Sequence, residues 1–144
     1  MRLLPCDNDN SMNKKITVIK GDGIGPEVTN QSLKVLNAVA QRFDHSFEFE
    51  ECLIGAVAIE STGNPLPDET IESCLRSDAV LFGAIGHPKY DNDPTAKVRP
   101  EQGLLKLRKS LQLYANIRPI AVYQSLYHLS PIKSKILDGV DFII

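Results

Sequence analysis

Short apolar runs along this chain have the length and spacing of β-strands. Residues 15–20 indicate a short buried strand, and the almost entirely apolar run at 79–85 is typical of a parallel strand covered on both faces. Residues 46–50 alternate two phenylalanines with polar or charged residues, as a half-exposed strand does. The pattern therefore predicts three strands before residue 86.

Segments with helical spacing separate these strands. A long amphipathic helix is predicted after the first strand, and shorter helices are predicted at 55–61 and 68–76. The last of them is expected to turn Ile71, Cys74 and Leu75 inward. The repeated alternation of strands and helices predicts the α/β fold class.

The segment 101–119 places an arginine where helical spacing predicts an apolar surface. At about 100° per residue, its apolar side chains form one broad arc: Leu104, Leu105, Leu107, Leu111 and Tyr114. Arg108 points out of the middle of this arc, and a guanidinium buried there without a partner would cost several kcal/mol. Either a ligand anion or an internal Asp or Glu must therefore meet it. Arg118 follows in a strand predicted for 113–120, and two arginines joined by a helix-to-strand turn suit bidentate capture of carboxylates.

Residues 21–28 form a glycine-rich turn between the first strand and the first helix. Pro26 fits the first helical position, and Glu27 suits the positive end of the helix dipole. The glycines do not follow the G-x-G-x-x-G spacing of Rossmann folds, and the lysine of a Walker motif is absent from the sequence. The turn still lets a ligand approach the backbone closely, because glycine has no side chain.

A long proline-rich segment, 86–100, follows the C-terminal end of the third predicted strand. Open α/β sheets bind ligands at that end of their strands, and loops of this length are usually functional or mobile. A solvated connection without function is the alternative. His87 has no acidic or cysteine neighbour at metal-ligand spacing, so we expect no metal role for it.

Composition and charge argue against several function classes. A net charge of −2 gives no reason to expect nucleic acid or a membrane as partner. Cys6, Cys52 and Cys74 are odd in number and widely spaced, as in a cytoplasmic protein with reduced thiols. Residues 1–13 are rich in polar, turn-prone residues, and we expect them to form a disordered extension.

Four motifs, taken in order, carry a family resemblance. They are Gly-Asp-Gly-Ile-Gly-Pro-Glu-Val at 21–28, Gly-His-Pro-Lys-Tyr-Asp at 86–91, Arg-Pro-Glu at 99–101 and the segment 103–119. Together they resemble the β-decarboxylating dehydrogenases, which act on isopropylmalate, isocitrate, homoisocitrate or tartrate, and most of all the isopropylmalate branch. The resemblance runs from about residue 14 to the last residue of the chain.

This resemblance implies an isopropylmalate/isocitrate dehydrogenase-like fold, distinct from the Rossmann fold and incomplete in this chain. It assigns 14–112 to the N-terminal part of the cofactor-side domain and 113–144 to the beginning of a second, dimer-forming domain. In the family, the metal-binding aspartates, the catalytic lysine and tyrosine, and the residues that select NAD over NADP lie beyond this point. We therefore expect no catalytic or metal-binding residue within the chain, and no activity from the chain alone.

The implied reaction is the NAD-dependent oxidative decarboxylation of (2R,3S)-3-isopropylmalate, a 2-hydroxy dicarboxylate, to 4-methyl-2-oxopentanoate in leucine biosynthesis. The implied enzyme is a cytoplasmic homodimer that uses Mg²⁺ or Mn²⁺, held by residues beyond 144. The substrate-binding residues carried over from the family are Arg108, Arg118, Leu104 and Leu105. The cofactor-binding residues carried over are Ile24, His87, Pro88 and Glu101.

The leucine pair is the feature that favours isopropylmalate within the family. Isocitrate-type relatives carry Ser and Asn at the positions of Gln102 and Leu104, where they hold an additional carboxylate. Two leucines suit an isopropyl group instead, because burying branched apolar surface is worth roughly 1.5–3 kcal/mol. A tartrate or D-malate dehydrogenase of the same family, and a truncated non-catalytic binding remnant, are the alternatives.

Overall fold

The computed structural model describes residues 11–93 and 95–144, which divide into two compact units between Gln112 and Leu113. Most of the extension predicted for 1–13 lies outside the described residues. Asn13, which the sequence assigns to that extension, begins the first strand instead. The assignment of the two units to a cofactor-side and a dimer-forming domain stays a prediction.

The first unit alternates strands and helices along the chain. Its elements are β1 (Asn13–Gly21), α1 (Gly25–Phe43), β2 (Ser46–Glu51), α2 (Ala56–Thr62), α3 (Asp68–Arg76), β3 (Ala79–Ala84), α4 (Pro88–Asp91) and α5 (Pro100–Ser110). The three strands are parallel and lie in the order β2-β1-β3. The predicted α/β class is confirmed, and α4 is a short helix within the segment predicted to be a loop.

Local sequence signals account for the ends of the principal helices. In α1, proline occupies the first turn together with Glu27, and Asp44 ends the helix in the left-handed conformation at φ 55°. In α3, Asp68 and Glu69 lie at the positive end of the helix dipole and Arg76 lies at the negative end. These charges stabilise the two ends of α3 independently of its tertiary contacts.

The central strand β1 is buried from both sides of the sheet. Thr17 is fully buried and its hydroxyl contacts that of Ser73 in α3 at 2.9 Å. Successive strand residues point to opposite faces, so Val18 is directed to the other side, where α1 packs on β1 and β3. The core on the α3 side is formed by Ile19, Ile54, Leu66, Cys74 and Leu107.

Two predictions about burial in this unit are wrong. Leu75, expected on the inner face of α3, is 61% exposed, because Thr70, Ser73 and Cys74 face the sheet instead. The strand β3 is only half-buried along most of its length, since it lies at one end of the three-stranded order. An apolar run therefore identified the strand correctly but not the degree of its burial.

The second unit, residues 113–144, contains a two-stranded antiparallel sheet. Its elements are β4 (Pro119–Ala121), a 3₁₀ helix (Gln124–Leu129), α6 (Ser134–Leu137) and β5 (Asp141–Ile143). The strand predicted for 113–120 is wrong over most of its length, because only its last two residues belong to β4. All three residues of β5 are exposed.

Candidate functional site

The glycine turn after β1 has no room for a side chain at Gly21 or Gly25. Gly21 has a φ of 71°, and a Cβ atom there would overlap the carbonyl oxygen of Ala84 in β3. A Cβ atom on Gly25 would likewise overlap the carbonyl oxygen of Lys20. Gly23 is different: it is exposed, with a φ of 56°, and only the Gly86 carbonyl oxygen comes within 4 Å of its Cβ position, at 3.8 Å. The turn is therefore tightly packed at its two ends and open in the middle.

Asp22, inside this turn, is a buried acidic residue that the sequence analysis did not single out. Its side chain is surrounded by backbone N–H donors: Ala56 donates to Oδ2 at 2.9 Å and Val57 donates to Oδ1 at 3.2 Å. Gly86, just after β3, donates to Oδ2 at 3.2 Å. The one signal available in the sequence was an acidic residue between two glycines at the end of a buried strand.

The segment that follows β3 begins at Gly86, whose φ of 128° suits glycine. His87 caps the short helix α4, since its Nδ1 accepts a hydrogen bond from the Lys89 backbone at 3.2 Å. The Lys89 ammonium in turn lies 2.9 Å from the carboxylate of Glu60 in α2. This contact raises the pKa of Lys89 and lowers that of Glu60, mainly through the hydrogen bond between them. His87 therefore has a structural role as the cap of α4, and the Lys89–Glu60 ion pair connects the start of the segment to α2.

The helix α5 approaches the same point from the other side. A Cβ atom on Gly86 would lie 3.5 Å from Oε1 of Glu101, so the Glu101 carboxylate lies beside Gly86. The glycine turn, the residues after β3 and the first turn of α5 consequently meet around Gly86. These three segments carry the four residues predicted to bind the cofactor: Ile24, His87, Pro88 and Glu101. Their binding role stays a prediction.

The core-facing side of α5 includes only part of the predicted leucine arc. Gly103 packs against Pro65 and Ile54, where a Cβ atom would come 2.5 Å from the Pro65 carbonyl oxygen. Leu107, one turn later, is 3% exposed and Leu111 packs against the same core. Leu105 is exposed, and Tyr114 lies beyond the end of the helix at Ser110 and is fully exposed. The predicted buried arc is therefore correct at Leu107 and Leu111 and wrong at Leu105 and Tyr114.

The four predicted ligand-binding residues of α5 share its opposite side. Glu101, Leu104, Leu105 and Arg108 follow the i, i+3, i+4, i+7 spacing of one helix face. Leu104 is half-buried and Leu105 is 64% exposed. Arg108 is exposed as well, contrary to the expected burial, and within the described residues of its own unit, 11–93 and 95–112, no carboxylate lies within 4 Å of it. That part of the first unit thus contains no acid paired with Arg108, which was the alternative to a ligand anion.

Arg118 belongs to the second unit and is described within that unit alone. Its backbone pairs with that of Ile144 through hydrogen bonds of 2.9 and 3.0 Å. Its Nε donates to the side-chain oxygen of Asn116 at 3.3 Å, and the residue is exposed. The substrate-binding role of Arg118 stays a prediction.

Two further properties concern ligands and membranes. In the part of the chain that the structure describes, there is no group of three His, Cys, Asp or Glu side chains that could hold a metal ion. Within residues 11–93 and 95–144, no helix combines the length and apolar character needed to cross a membrane.

Comparison with protein families matches residues 15–144 to isocitrate/isopropylmalate dehydrogenases. Curated relatives include the 3-isopropylmalate dehydrogenase of Bacteroides fragilis, 52% identical over 132 residues, and that of Priestia megaterium, 53% identical over 133 residues. These alignments cover 92% of this chain but only 37% and 36% of the two relatives. The chain spans little more than a third of the length of the relatives it matches.

Solved structures similar to this chain include a β-decarboxylating dehydrogenase from Thermococcus kodakarensis in its apo form. It is 41% identical with a TM-score of 0.59, over 75% of this chain and 30% of that one. An isocitrate dehydrogenase from Methylococcus capsulatus is 32% identical with a TM-score of 0.62, over 76% of this chain and 29% of that one. Both similarities rest on a minor part of the solved chains.

Proposed function

Because this chain belongs to the isocitrate/isopropylmalate dehydrogenase family, we propose that it forms the amino-terminal part of an enzyme that oxidises and decarboxylates 3-isopropylmalate with NAD. The family's fold, expected from the four motifs, is confirmed by the structural relatives. The product would be 4-methyl-2-oxopentanoate, as in leucine biosynthesis. The complete enzyme would act as a homodimer, with residues 113–144 in the dimer-forming domain.

The observation that carries this proposal is the outward face of α5. That face combines one guanidinium, Arg108, with one exposed leucine, Leu105, and one half-buried leucine, Leu104. A 2-hydroxy dicarboxylate with a branched apolar substituent offers a partner for each: a carboxylate for the arginine and an isopropyl group for the leucines. A third carboxylate on the substrate would find apolar side chains there instead.

The meeting point around Gly86 fits the nicotinamide end of NAD. Gly23 leaves the middle of the turn open, so a ligand can approach the backbone there. In this proposal Ile24, His87 and Pro88 line the cofactor, and Glu101 accepts a hydrogen bond from a ribose hydroxyl. NAD, when bound, supplies the acceptor for the hydride that leaves C2 of the substrate.

The residues of this chain would bind and orient the reactants. Arg108 holds a substrate carboxylate, and the leucine pair fixes the other end of the molecule, so C2 is directed toward the nicotinamide. The family requires a divalent metal, which stabilises the charge that develops on the C2 oxygen. Since the described residues offer no metal site, we assign no step of the metal chemistry to them.

Steady-state kinetics of the full-length enzyme tests this function. We expect NAD-dependent oxidation of 3-isopropylmalate, with 4-methyl-2-oxopentanoate identified by mass spectrometry. Arg108→Lys should lower kcat/KM for isopropylmalate by about 10- to 100-fold, because lysine cannot make the planar bidentate contact. Lys106→Gln is the matched control: Lys106 lies on the same helix but reaches Asp68 at 3.4 Å, and its loss should leave the kinetics unchanged.

Two results would contradict the proposal. Preferential turnover of D-malate or tartrate would assign the chain to another branch of the family. If Arg108→Lys kept wild-type kinetics, the carboxylate-binding role of that arginine would be wrong.

A further inference from the structure

In the described part of the chain, every hydrogen bond that the buried Asp22 carboxylate accepts comes from a backbone N–H group. Asp22 is 2% exposed, and burying a carboxylate without compensation would be very costly. Three backbone N–H groups supply that compensation, from Ala56, Val57 and Gly86. These donors lie 34 to 64 residues away in sequence, so the carboxylate joins distant segments and not only its own turn.

The first of these segments is the beginning of α2. Its N-cap residue is Gly55, which has no side chain to cap the helix. Asp22 takes over this function from another part of the chain, because it accepts hydrogen bonds from the first two residues of α2. A Cβ atom on Gly55 would collide with the Asp22 carboxylate. Glycine at the N-cap position therefore leaves space for Asp22, whose carboxylate caps α2 in its place.

The second segment is the backbone that leaves β3. Gly86 donates its N–H to the same oxygen of Asp22 that receives the bond from Ala56. On its other side Gly86 lies beside the Glu101 carboxylate. Oδ2 of Asp22 therefore holds Gly86 in place. His87 and Pro88 follow Gly86 in the chain, and the Glu101 carboxylate lies beside it.

From this geometry we infer that Asp22 is a positioning residue for the cofactor: it holds Gly86, and through Gly86 it sets the location of His87, Pro88 and Glu101. The inference rests on the proposed function, because those three residues belong to the proposed cofactor-binding set. Asp22 touches neither NAD nor substrate in this scheme. Its removal should consequently weaken NAD binding more than substrate binding, because α5, which carries Arg108 and the two leucines, is also held to the core through Gly103 and Leu107.

Kinetic analysis of two Asp22 variants in the full-length enzyme separates positioning from general stability. Asp22→Ala removes all three acceptor contacts and should raise KM for NAD by about tenfold, with KM for isopropylmalate changed by less than about twofold. Asp22→Asn keeps one oxygen, and in the place of Oδ2 that oxygen still serves Ala56 and Gly86. This conservative variant should restore KM for NAD to within about threefold of wild type.

Asp78→Asn provides the matched control. The Asp78 carboxylate also accepts a backbone hydrogen bond, from Lys15 at 2.9 Å, but at the beginning of β1 and not at the glycine turn. Its substitution should lower stability without changing either KM. If Asp22→Ala leaves KM for NAD unchanged, or raises both KM values equally, the inference is overturned.

Hydrogen exchange of the full-length enzyme, read at the amides of these residues, gives a readout that does not depend on activity. Both Asp22 variants should show faster exchange near the start of α2, because Val57 loses its acceptor in each. At Gly86, Asp22→Ala should exchange at least about tenfold faster than wild type, while Asp22→Asn should stay close to it. If Asp22→Ala does not fold, Asp22→Asn decides alone. Exchange of its Gly86 amide at the wild-type rate supports the inference. Exchange of that amide as fast as in an unfolded peptide overturns the inference. An enzyme that does not oxidise isopropylmalate would refute the proposed function but leave this exchange pattern as expected.

Discussion

Gly21 and Gly63 have almost the same positive φ angle, 71° and 75°, but very different surroundings. A Cβ atom on Gly21 would overlap the carbonyl oxygen of Ala84, whereas no atom lies within 4 Å of the Cβ position on Gly63. Substitution of Gly63 therefore tests only the cost of placing a side chain at a positive φ angle. Substitution of Gly21 tests that cost together with the cost of moving β3 away.

This difference leads to a prediction for a matched pair of alanine variants. Gly63→Ala should lower the free energy of unfolding by about 1–2 kcal/mol, the cost of the left-handed conformation alone. Gly21→Ala should lower it by a further 1–3 kcal/mol or so, because β1 and β3 must also move apart. Urea denaturation of the two variants measures both values, and equal losses would show that the approach of Ala84 imposes no additional constraint.

Cys74 provides a prediction about chemical reactivity. Burial raises the pKa of its thiol to about 11, well above the ordinary cysteine value. At pH 8 the reactive thiolate is therefore present at roughly one part in a thousand, compared with about a quarter for a free cysteine. We expect iodoacetamide to modify Cys74 in the folded chain at least about 100-fold more slowly than in urea, as followed by peptide mass spectrometry. Equal rates in the two conditions would contradict the raised pKa and the burial that causes it.

The helices whose ends carry strong local signals are those that the sequence predicted best. α3 begins at Asp68 and ends at Arg76 as expected, because Pro67 and the charges of its end turns lie within the helix or next to it. In α5 the apolar pattern identifies the buried Leu107 but not the closest contact with the core, which Gly103 makes, because a residue without a side chain adds nothing to an apolar pattern. β4 and β5 have three residues each and are stabilised by their pairing with one another. The local sequence does not predict this pairing.

Asp22 shows the same limit at the candidate site. The motif that contains it was recognised, and its glycines were expected to bring the backbone close to a ligand. The three N–H groups that bury Asp22 come from α2 and from the end of β3. Their arrival at one carboxylate depends on the order of the strands in the sheet, so the sequence of the turn alone could not indicate it.

The start of β3 is held to β1 by an acid-sensitive contact. The Asp78 carboxylate lies 2.8 Å from the Lys14 ammonium and 2.9 Å from the Lys15 amide nitrogen. The hydrogen bond from Lys14, followed by that from the Lys15 backbone, lowers the pKa of Asp78. A lowered pKa means that the folded state holds this proton less tightly than the unfolded state does. The stabilisation is therefore complete above the unfolded-state pKa of about 3.9 and is lost as the pH falls through the lower folded value.

We accordingly expect acid to weaken the wild-type chain more than an Asp78→Asn variant. Between pH 6 and pH 3 or so, the free energy of unfolding should fall more steeply in wild type, because only wild type loses the charge on residue 78. Urea denaturation at several pH values measures the two slopes. Parallel slopes would show that Asp78 contributes nothing to the acid sensitivity.

At the scale of the whole enzyme, the leucine pair on α5 predicts substrate choice. The full-length enzyme should favour isopropylmalate over isocitrate by at least about a hundredfold in kcat/KM, since the third carboxylate of isocitrate would be desolvated against leucine. Replacing Leu104 and Leu105 by alanine should reduce this preference, mainly by weakening the isopropyl substrate. Competition assays with both substrates measure the ratio. Comparable rates on isocitrate in wild type would refute this account of specificity and leave the family assignment unchanged.

The position of β1 in the middle of the sheet has a consequence for the timing of synthesis. Val18 pairs with Leu81, about sixty residues later in the chain, and translation at about 5–20 residues per second needs roughly 3 to 12 s to reach that partner. During this interval β1 has only β2 as a neighbour, and two strands by themselves are at best marginally stable. The apolar side chains of Ile16, Val18 and Ile19 therefore stay incompletely covered during synthesis. They offer a binding sequence for chaperones until β3 emerges and completes the sheet.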